Sequence, residues 1–346
     1  MMTLRVCPST LAEGFDTYSP AARKKMFDDK AVAHYLKVPS PSTNSEEANE
    51  AIRNAKRISL SGAQPKYSVI VDEQESYLRY TQEGEQGTYI LKPCPSSYHI
   101  LNRNYCAANE HLTMQIAAQV YGIETAANGL CFFSNDEAAY LTRRFDVHDG
   151  RKYQQEDFAA LMGYTKANGG SDYKYCNGSY EECAEVIQKY VKAARIDLLR
   201  FFRLIVFNFI SLNDDAHLKN FSLINRGNEY RLSPAYDLIN TSLHLTEPRI
   251  FALDKGLFKE GMNLGDTHQV GRKDFEEFGR RIGLGDKLIK RELDEFVKEK
   301  PLVQVLIDRS FLSEELKKQY RMSMGYRCKM LSFLSLIHIS EPTRRS

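Results

Sequence analysis

The chain has 346 residues, of which 42% are hydrophobic and 27% charged, and its formal net charge is +2. That length supports two lobes with substantial cores. The composition is that of an ordinary soluble protein, and so small a net charge gives no argument for a polyanionic partner. The seven cysteines, at 7, 94, 106, 131, 176, 183 and 328, include no C-x-x-C pair, which argues for reduced thiols in a cytosol over a disulfide framework or zinc site. No apolar signal core opens the chain, and no run of about eighteen apolar residues could span a bilayer, so the expected location is cytoplasmic and no membrane is expected as a partner.

Residues 1–52 read as a preamble and linker. Pro39 to Ser45 is turn-rich, and Asn44 is a candidate cap for a helix from Glu46 to Ala55. Ile58-Ser59-Leu60-Ser61-Gly62-Ala63-Gln64-Pro65-Lys66 then feeds the β-rich Tyr67–Val71. A small-residue turn before a strand can bring backbone N–H groups close to phosphate oxygens, though one glycine in a loop is a weak signal taken alone. Thr88 to Pro93 reads as a strand carrying Lys92, and a kinase-type site needs a strand lysine for nucleotide phosphates. A lone strand lysine more often faces water. A helix is expected from about Asn102 to Tyr121, ending at Gly122, on which Asn109-Glu110 could face inward and orient Lys92 or a metal, a solvated Glu being the commoner case.

Ala139 to Asp146 reads as a strand running into a connection between lobes, with a turn at Asp149-Gly150. Backbone groups there could meet an adenine, and its apolar residues are equally consistent with plain core. Beyond it the pattern turns helical: Phe158 to Met162, a polar insert at Asn168–Asp172, and a capping box at Ser179–Glu182 opening a helix through Lys192. Leu198, Phe202, Ile205, Val206, Phe209 and Ile210 recur at helical spacing, which predicts a buried helix over Arg195–Leu212. Further helices are expected near Lys273–Arg281, Asp286–Val297 and Ser313–Tyr326.

The buried helix opens onto Asn213-Asp214-Asp215-Ala216-His217-Leu218-Lys219-Asn220, followed by a hairpin turning at Asn225–Asn228 and by Pro234-Ala235-Tyr236-Asp237. In kinase catalytic loops an Asp accepts the proton of the attacking hydroxyl, and an Asn five residues later holds a metal ion. Asp215 and Asn220 stand at that spacing, and the hairpin would return Asp237 to their side as a second metal ligand. Each residue alone is better read as a turn or cap. The ordered set is not.

With these stretches in order, residues of about 55 to 330 resemble the HipA family of bacterial toxin serine/threonine kinases. The matches are Ser59–Lys66, Ile90–Pro93, Asn109-Glu110, Arg144–Asp146, Gln155–Asp157, Asp215–Ser222 and Pro234–Leu238. The resemblance implies an α+β, two-lobed, protein-kinase-like fold, with a mixed N-lobe over 53–150 and a mainly helical C-lobe over 151–333. It implies ATP and Mg2+ as cofactors, Asp215 as the base, and Asn220 and Asp237 as magnesium ligands. Lys92 would contact phosphates, and Ser59 to Gln64, including Ser61, Gly62 and Ala63, would form the phosphate loop. Backbone around Arg143 and Phe145 would meet the adenine, while His217 and Lys219 belong to the motif without separate steps. Ser59 and Ser61 are the expected autophosphorylation sites.

The resemblance further implies a toxin–antitoxin module and a protein substrate, with an aminoacyl-tRNA synthetase as the target that family analogy suggests. Long family members carry more residues ahead of the phosphate loop. This short form resembles kinase subunits whose missing N-terminal part is a separate small protein, and a DNA-binding antitoxin is the other expected partner. Nucleic acid would be met only through it. A small-molecule kinase and a non-catalytic pseudokinase are the rival readings. Leu334–Arg344 resembles a library-preparation adapter translated in frame, so 334–346 is assigned no function.

Overall fold

The computed structural model describes residues 3–53, 57–59, 64–72, 74–264 and 269–332. An antiparallel sheet organises the first half of the chain. Its strands are β1 (Arg57–Ser59), β2 (Lys66–Asp72), β3 (Tyr77–Tyr80), β4 (Tyr89–Lys92), β5 (Asn128–Phe132) and β6 (Ala138–Arg143). They run in the order β1-β2-β4-β6-β5, with β3 also paired to β2.

Strand alternation decides what each face meets. Tyr89 and Leu91 of β4, Cys131 of β5, and Ala139 and Leu141 of β6 share one apolar cluster with Cys7, Tyr18, Met26, Phe27 and Leu36. The first forty residues, read from sequence as a preamble, therefore cover one face of the sheet. They include α1 (Pro20–Phe27), capped by Ser19, whose hydroxyl accepts from Ala22 N at 3.2 Å. Tyr18 Oη donates to Leu130 O at 2.7 Å, and Tyr89 Oη donates to Met26 O at 2.8 Å. Next comes α2 (Glu46–Arg53), whose cap is Ser45 rather than Asn44: Ser45 Oγ accepts from Ala48 N at 3.1 Å, while Asn44 is left-handed with φ 48°.

Leu130, Phe132 and Tyr140 point to the opposite face and the main core. There α3 (Cys106–Gln119) packs across the sheet. Lys92 pairs with Tyr140 across the ladder, so alternation puts its side chain on the α3 face, and it is buried.

After β6 the chain makes a small hairpin, β7 (Val147–His148) and β8 (Arg151–Lys152), around Asp149-Gly150. Gln155–Asp157 leads into the short α4 (Phe158–Leu161) as expected, but is itself a strand, β9. Two single-turn helices, α5 (Lys166–Gly169) and α6 (Tyr173–Cys176), bracket the polar insert. Then come α7 (Tyr180–Tyr190) and α8 (Ala194–Ile210), whose Phe201, Phe202, Val206, Phe207, Phe209 and Ile210 lie in the deepest part of the core. The hairpin of β10 (Ser222–Arg226) and β11 (Glu229–Leu232) extends β9 into a three-stranded sheet. Asp197 and Arg200 of α8 pin its far strand: Leu232 N donates to Asp197 Oδ2 at 2.7 Å, and Arg200 Nη1 donates to Leu232 O at 3.0 Å.

Four helices complete the second lobe: α9 (Arg272–Arg281), α10 (Asp286–Val297), α11 (Pro301–Arg309) and α12 (Glu314–Ser332). The third of these was not anticipated. Pro301 at its first position and the spacing of Val303, Leu306 and Ile307 are the signals that carry it. No helix among the described residues is long and apolar enough to cross a membrane.

Candidate active site

The site starts where α8 stops. Leu212 takes the left-handed conformation with φ 54°, a position that usually falls to glycine at a helix end. For a residue with a side chain this costs about 1–2 kcal/mol. Thr241 holds it there, because its N and Oγ1 both donate to Leu212 O, at 3.1 and 2.6 Å. The chain turns sharply into Asn213, whose N–H donates to Asn208 O at 2.9 Å. Asn213 then works in two directions. Its Oδ1 accepts from Asp215 N at 3.3 Å, and its Nδ2 donates to Asn208 Oδ1 at 3.1 Å and to Asp237 O at 3.4 Å. One buried amide thus links the loop that carries Asp215 to the segment that carries Asp237.

Asp215 presents a half-exposed carboxylate. Asn220 Nδ2 donates to Asp215 O at 2.7 Å, which commits the amide nitrogen to the loop and leaves Oδ1 as the atom able to meet a cation. His217 is buried, with Nε2 4.0 Å from Asp215 Oδ1, and its Nδ1 makes no hydrogen bond among the described residues. Burial pushes its imidazole below the ordinary range despite the pull of Asp215. Lys219 is drawn to β9, where it pairs with Asp157, and Lys219 O accepts from Tyr236 Oη at 3.1 Å. Tyr175, from the single-turn α6, donates its hydroxyl to Asp215 Oδ1 at 2.5 Å.

The second cluster crosses the two lobes. Lys92 Nζ lies 2.6 Å from Glu110 Oε1 on α3 and 2.6 Å from Asp237 Oδ1, while Lys66 Nζ approaches Asp237 Oδ2 at 3.0 Å. The water-facing alternatives for Lys92 and Glu110 are therefore overruled, since both side chains are only 4% exposed. Burial alone would push the Lys92 ammonium down, but Asp237 and Glu110 outweigh it and hold the group above its usual value. Burial would likewise raise Asp237, yet Lys66 and Lys92 together hold its carboxyl far below the carboxylate range. Glu110 has only a share of one ammonium, and burial pushes it up to about 7. Asp237 sits at φ 56°, a second left-handed position in the site. Its segment is strapped to the first lobe by Ala235 N donating to Glu124 O (2.8 Å) and Ala126 N donating to Ala235 O (2.9 Å).

Arg143 ends β6, and Phe145 lies in the connection after it. Arg143 N donates to Ala127 O and Arg144 N to Thr88 O, both at 2.8 Å. The Arg143 guanidinium forks onto Asp28, and Phe145 O accepts from Arg226 Nη2 at 2.8 Å. A cavity of about 340 Å³ borders this connection, lined by Arg143, Phe145, Tyr153 and Arg226, and none of Lys92, Asp215, Asn220 or Asp237 lines it. Gln64 Nε2 donates to Pro93 O at 3.0 Å, holding the end of the phosphate-loop stretch beside β4. Ser59 pairs with Lys66 in the sheet, and Ser61, Gly62 and Ala63 lie outside the described residues.

Sequence reasoning thus missed three residues of the site. Lys66 had a signal in its place between the small-residue turn and a strand, and Asn213 had one in its adjacency to the loop. Tyr175 had none, because its contact joins positions 40 residues apart.

A buried strand lysine paired to a helix glutamate, and a left-handed Asp beside an Asp-x₄-Asn loop, between a curled sheet and a helical lobe, define a two-lobed kinase-like fold. HipA in the solved complex of the Shewanella oneidensis toxin–antitoxin system with HipB and operator DNA has that fold. It aligns with a TM-score of 0.60 at 19% identity, covering 80% of this chain and 65% of that one. The family model for the HipA-like C-terminal domain matches residues 58–302, and the chain belongs to this kinase family. It is 31% identical over 309 residues to a presumed kinase of Haemophilus influenzae, covering 82% of this chain and 84% of the relative. A second presumed kinase, Y4mE of Sinorhizobium fredii, is 27% identical over 260 residues, and the match spans 54% of its length.

Proposed function

We propose that this chain is an ATP-dependent serine/threonine protein kinase acting as the toxin of a HipA-type toxin–antitoxin module. The observation that carries the reading is the joining of two chemically distinct clusters, Lys92–Glu110–Asp237 and Asp215–Asn220, through the single amide of Asn213. The first cluster supplies fixed charge for a triphosphate, and the second supplies a proton acceptor beside it.

The residues fit a magnesium ion delivered with the nucleotide. Asp237 and the Asn220 amide oxygen are hard oxygen donors, and one or two carboxylates plus substrate phosphates is the usual set for this ion. Asp237 already accommodates two ammonium groups, so its site tolerates dense positive charge. When bound, the ion would neutralise charge developing on the phosphates. Lys92, steadied by Glu110, would hold the nucleotide phosphates. Asp215 would accept the proton of a serine or threonine hydroxyl as its oxygen attacks the γ-phosphorus and the bond to the ADP oxygen breaks. The buried Nδ1 of His217, without a hydrogen-bond partner among the described residues, is a further group that a bound substrate could satisfy. Arg143 and Phe145 would frame the adenine, Ser61 to Gln64 would cover the phosphates, and Lys219 would brace the loop from β9. Within the same reading Ser59 and Ser61 accept phosphate from the chain itself.

The HipB and operator DNA of the Shewanella complex support a DNA-binding antitoxin as partner. An aminoacyl-tRNA synthetase is the protein target that analogy favours, and a small protein standing for the N-terminal subdomain is the second partner.

The test incubates the purified chain with labelled ATP, magnesium and a cell lysate, beside Asp215→Asn. Loss of general-base catalysis lowers transfer by about a hundred- to ten-thousandfold. Label on a protein band that disappears in Asp215→Asn is the expected result. Label on small molecules alone would favour a metabolite kinase, and binding of a partner with no transfer at all would favour a pseudokinase.

A further inference from the structure

A general base must lie within about 2.6–3.2 Å of the oxygen whose proton it takes. In this chain that relation to Asp215 is already filled by a group of its own. Tyr175 Oη donates to Asp215 Oδ1 at 2.5 Å, which is what an acceptor hydroxyl would do. We propose that Tyr175 is a substrate-mimicking gate, standing where the acceptor hydroxyl must enter and withdrawing for transfer. The inference rests on the kinase reading above and assigns its regulation.

Three features hold the tyrosine in place. Its ring stands edge-on to His217, with centroids 4.9 Å apart at 70°. The Arg249 guanidinium lies 5.2 Å from the ring centroid, and Arg249 is itself anchored by its N–H to Asp214 Oδ2 at 2.7 Å and by its side chain to Asp254 at 2.7 Å. Asp254 N in turn donates to Tyr175 O at 3.1 Å. Burial, reinforced by Asp215, raises the phenol well above its usual value, so Tyr175 stays a donor throughout the working pH range.

What carries Tyr175 is built to move away. α6 is a single turn of four residues, too short to persist without its neighbours. It lies between Gly170 (φ 74°) and Gly178 (φ 87°), two positions whose backbone favours glycine. Tyr173 and Lys174 of the same turn reach the loop only through side chains, the first toward Lys219 and the second toward Asp215. The gate therefore swings on a weak element, while Asp215 stays on the loop tied by Asn213 and Asn220.

Tyr175→Phe keeps the ring and its packing and removes only the donor. Two measurements on the full chain test the proposal, with α-casein as a serine-rich probe acceptor. In hydrogen exchange, the Tyr175 and Cys176 amides, both bonded to Asp172 O, should exchange about ten- to a hundredfold faster in the variant, as expected for loss of a hydrogen bond to a charged group. In steady-state kinetics, KM for casein should fall by about tenfold while KM for ATP holds, because the closed gate reduces the competent fraction. Wild-type transfer that is unchanged or lowered in Tyr175→Phe would overturn the gate alone, and a lowered rate would make Tyr175 a positioning residue for Asp215. Phosphate found on Tyr175 itself would also overturn it. Absence of transfer by wild type and variant alike would strike the kinase reading, and the gate with it.

Discussion

The two halves of the site are held by opposite physical means. Lys92 and Glu110 are 4% exposed and meet Asp237 in a buried charge cluster, whereas Asp215 is 48% exposed and is positioned by neutral backbone and amide hydrogen bonds. Charges in a low-dielectric setting interact strongly, and once paired they are rigid. A proton acceptor needs the contrary: an anion with room beside it for a hydroxyl. Under the proposed function the nucleotide half would be organised before substrate arrives, while the acceptor half keeps a half-exposed carboxylate beneath Tyr175. Asn213 is the seam between them.

Removing the buried cation is the strongest way to break this comparison. Lys92→Ala leaves Glu110 facing Asp237 without their shared counterion, and breaking a buried pair in this way costs about 3–5 kcal/mol. The unfolding free energy from chemical denaturation should fall sharply, whereas Asp215→Asn should keep it within about 0.5 kcal/mol of wild type. Equal losses in the two variants would erase the distinction between the halves.

Cutting the seam comes next. Asn213→Ala removes side-chain bonds on both sides and leaves buried partners unsatisfied, at about 1–3 kcal/mol. Its transfer rate should drop with little change in affinity for ATP, which isothermal titration alongside turnover would separate.

Glu110 sharpens the contrast through pH. Its folded value is raised from 4.5 to about 7, so the native state keeps a proton that the unfolded chain releases. Stability attributable to this group is therefore full below the unfolded value and declines as pH climbs through that window. Asp237 is depressed and acts the other way, losing its contribution only in more acidic solution. Thermal melts of Glu110→Gln should accordingly show a flatter profile than wild type between pH 5 and 7. Parallel profiles would remove Glu110 from the account.

Lys219→Ala should do least. The Lys219–Asp157 pair is partly exposed, and such pairs contribute about 0–1 kcal/mol. A larger loss in melting would mean that the strap from β9 to the loop matters more than its exposure suggests.

Much of this was legible in the chain itself. The spacing of Asp215, Asn220 and Asp237 around a hairpin, the strand that carries Lys92, and the apolar period of α8 are local patterns, and local patterns survive in sequence because adjacent residues fix them. The same reading placed the hairpin turn and the helix at Asp286–Val297 where they stand. It did not see that the first forty residues cover the sheet, because their apolar positions follow no regular period and gain meaning only against Leu91, Cys131 and Leu141. Nor could it choose between a solvated and a paired Glu110, since an isolated helix offers both. Lys66 on Asp237 and Tyr175 on Asp215 join positions 171 and 40 residues apart. Sequence determined which chemical groups the site would own. Tertiary structure decided which of them touch, because charge pairing and burial depend on distance in space, which the order of residues along a chain does not set.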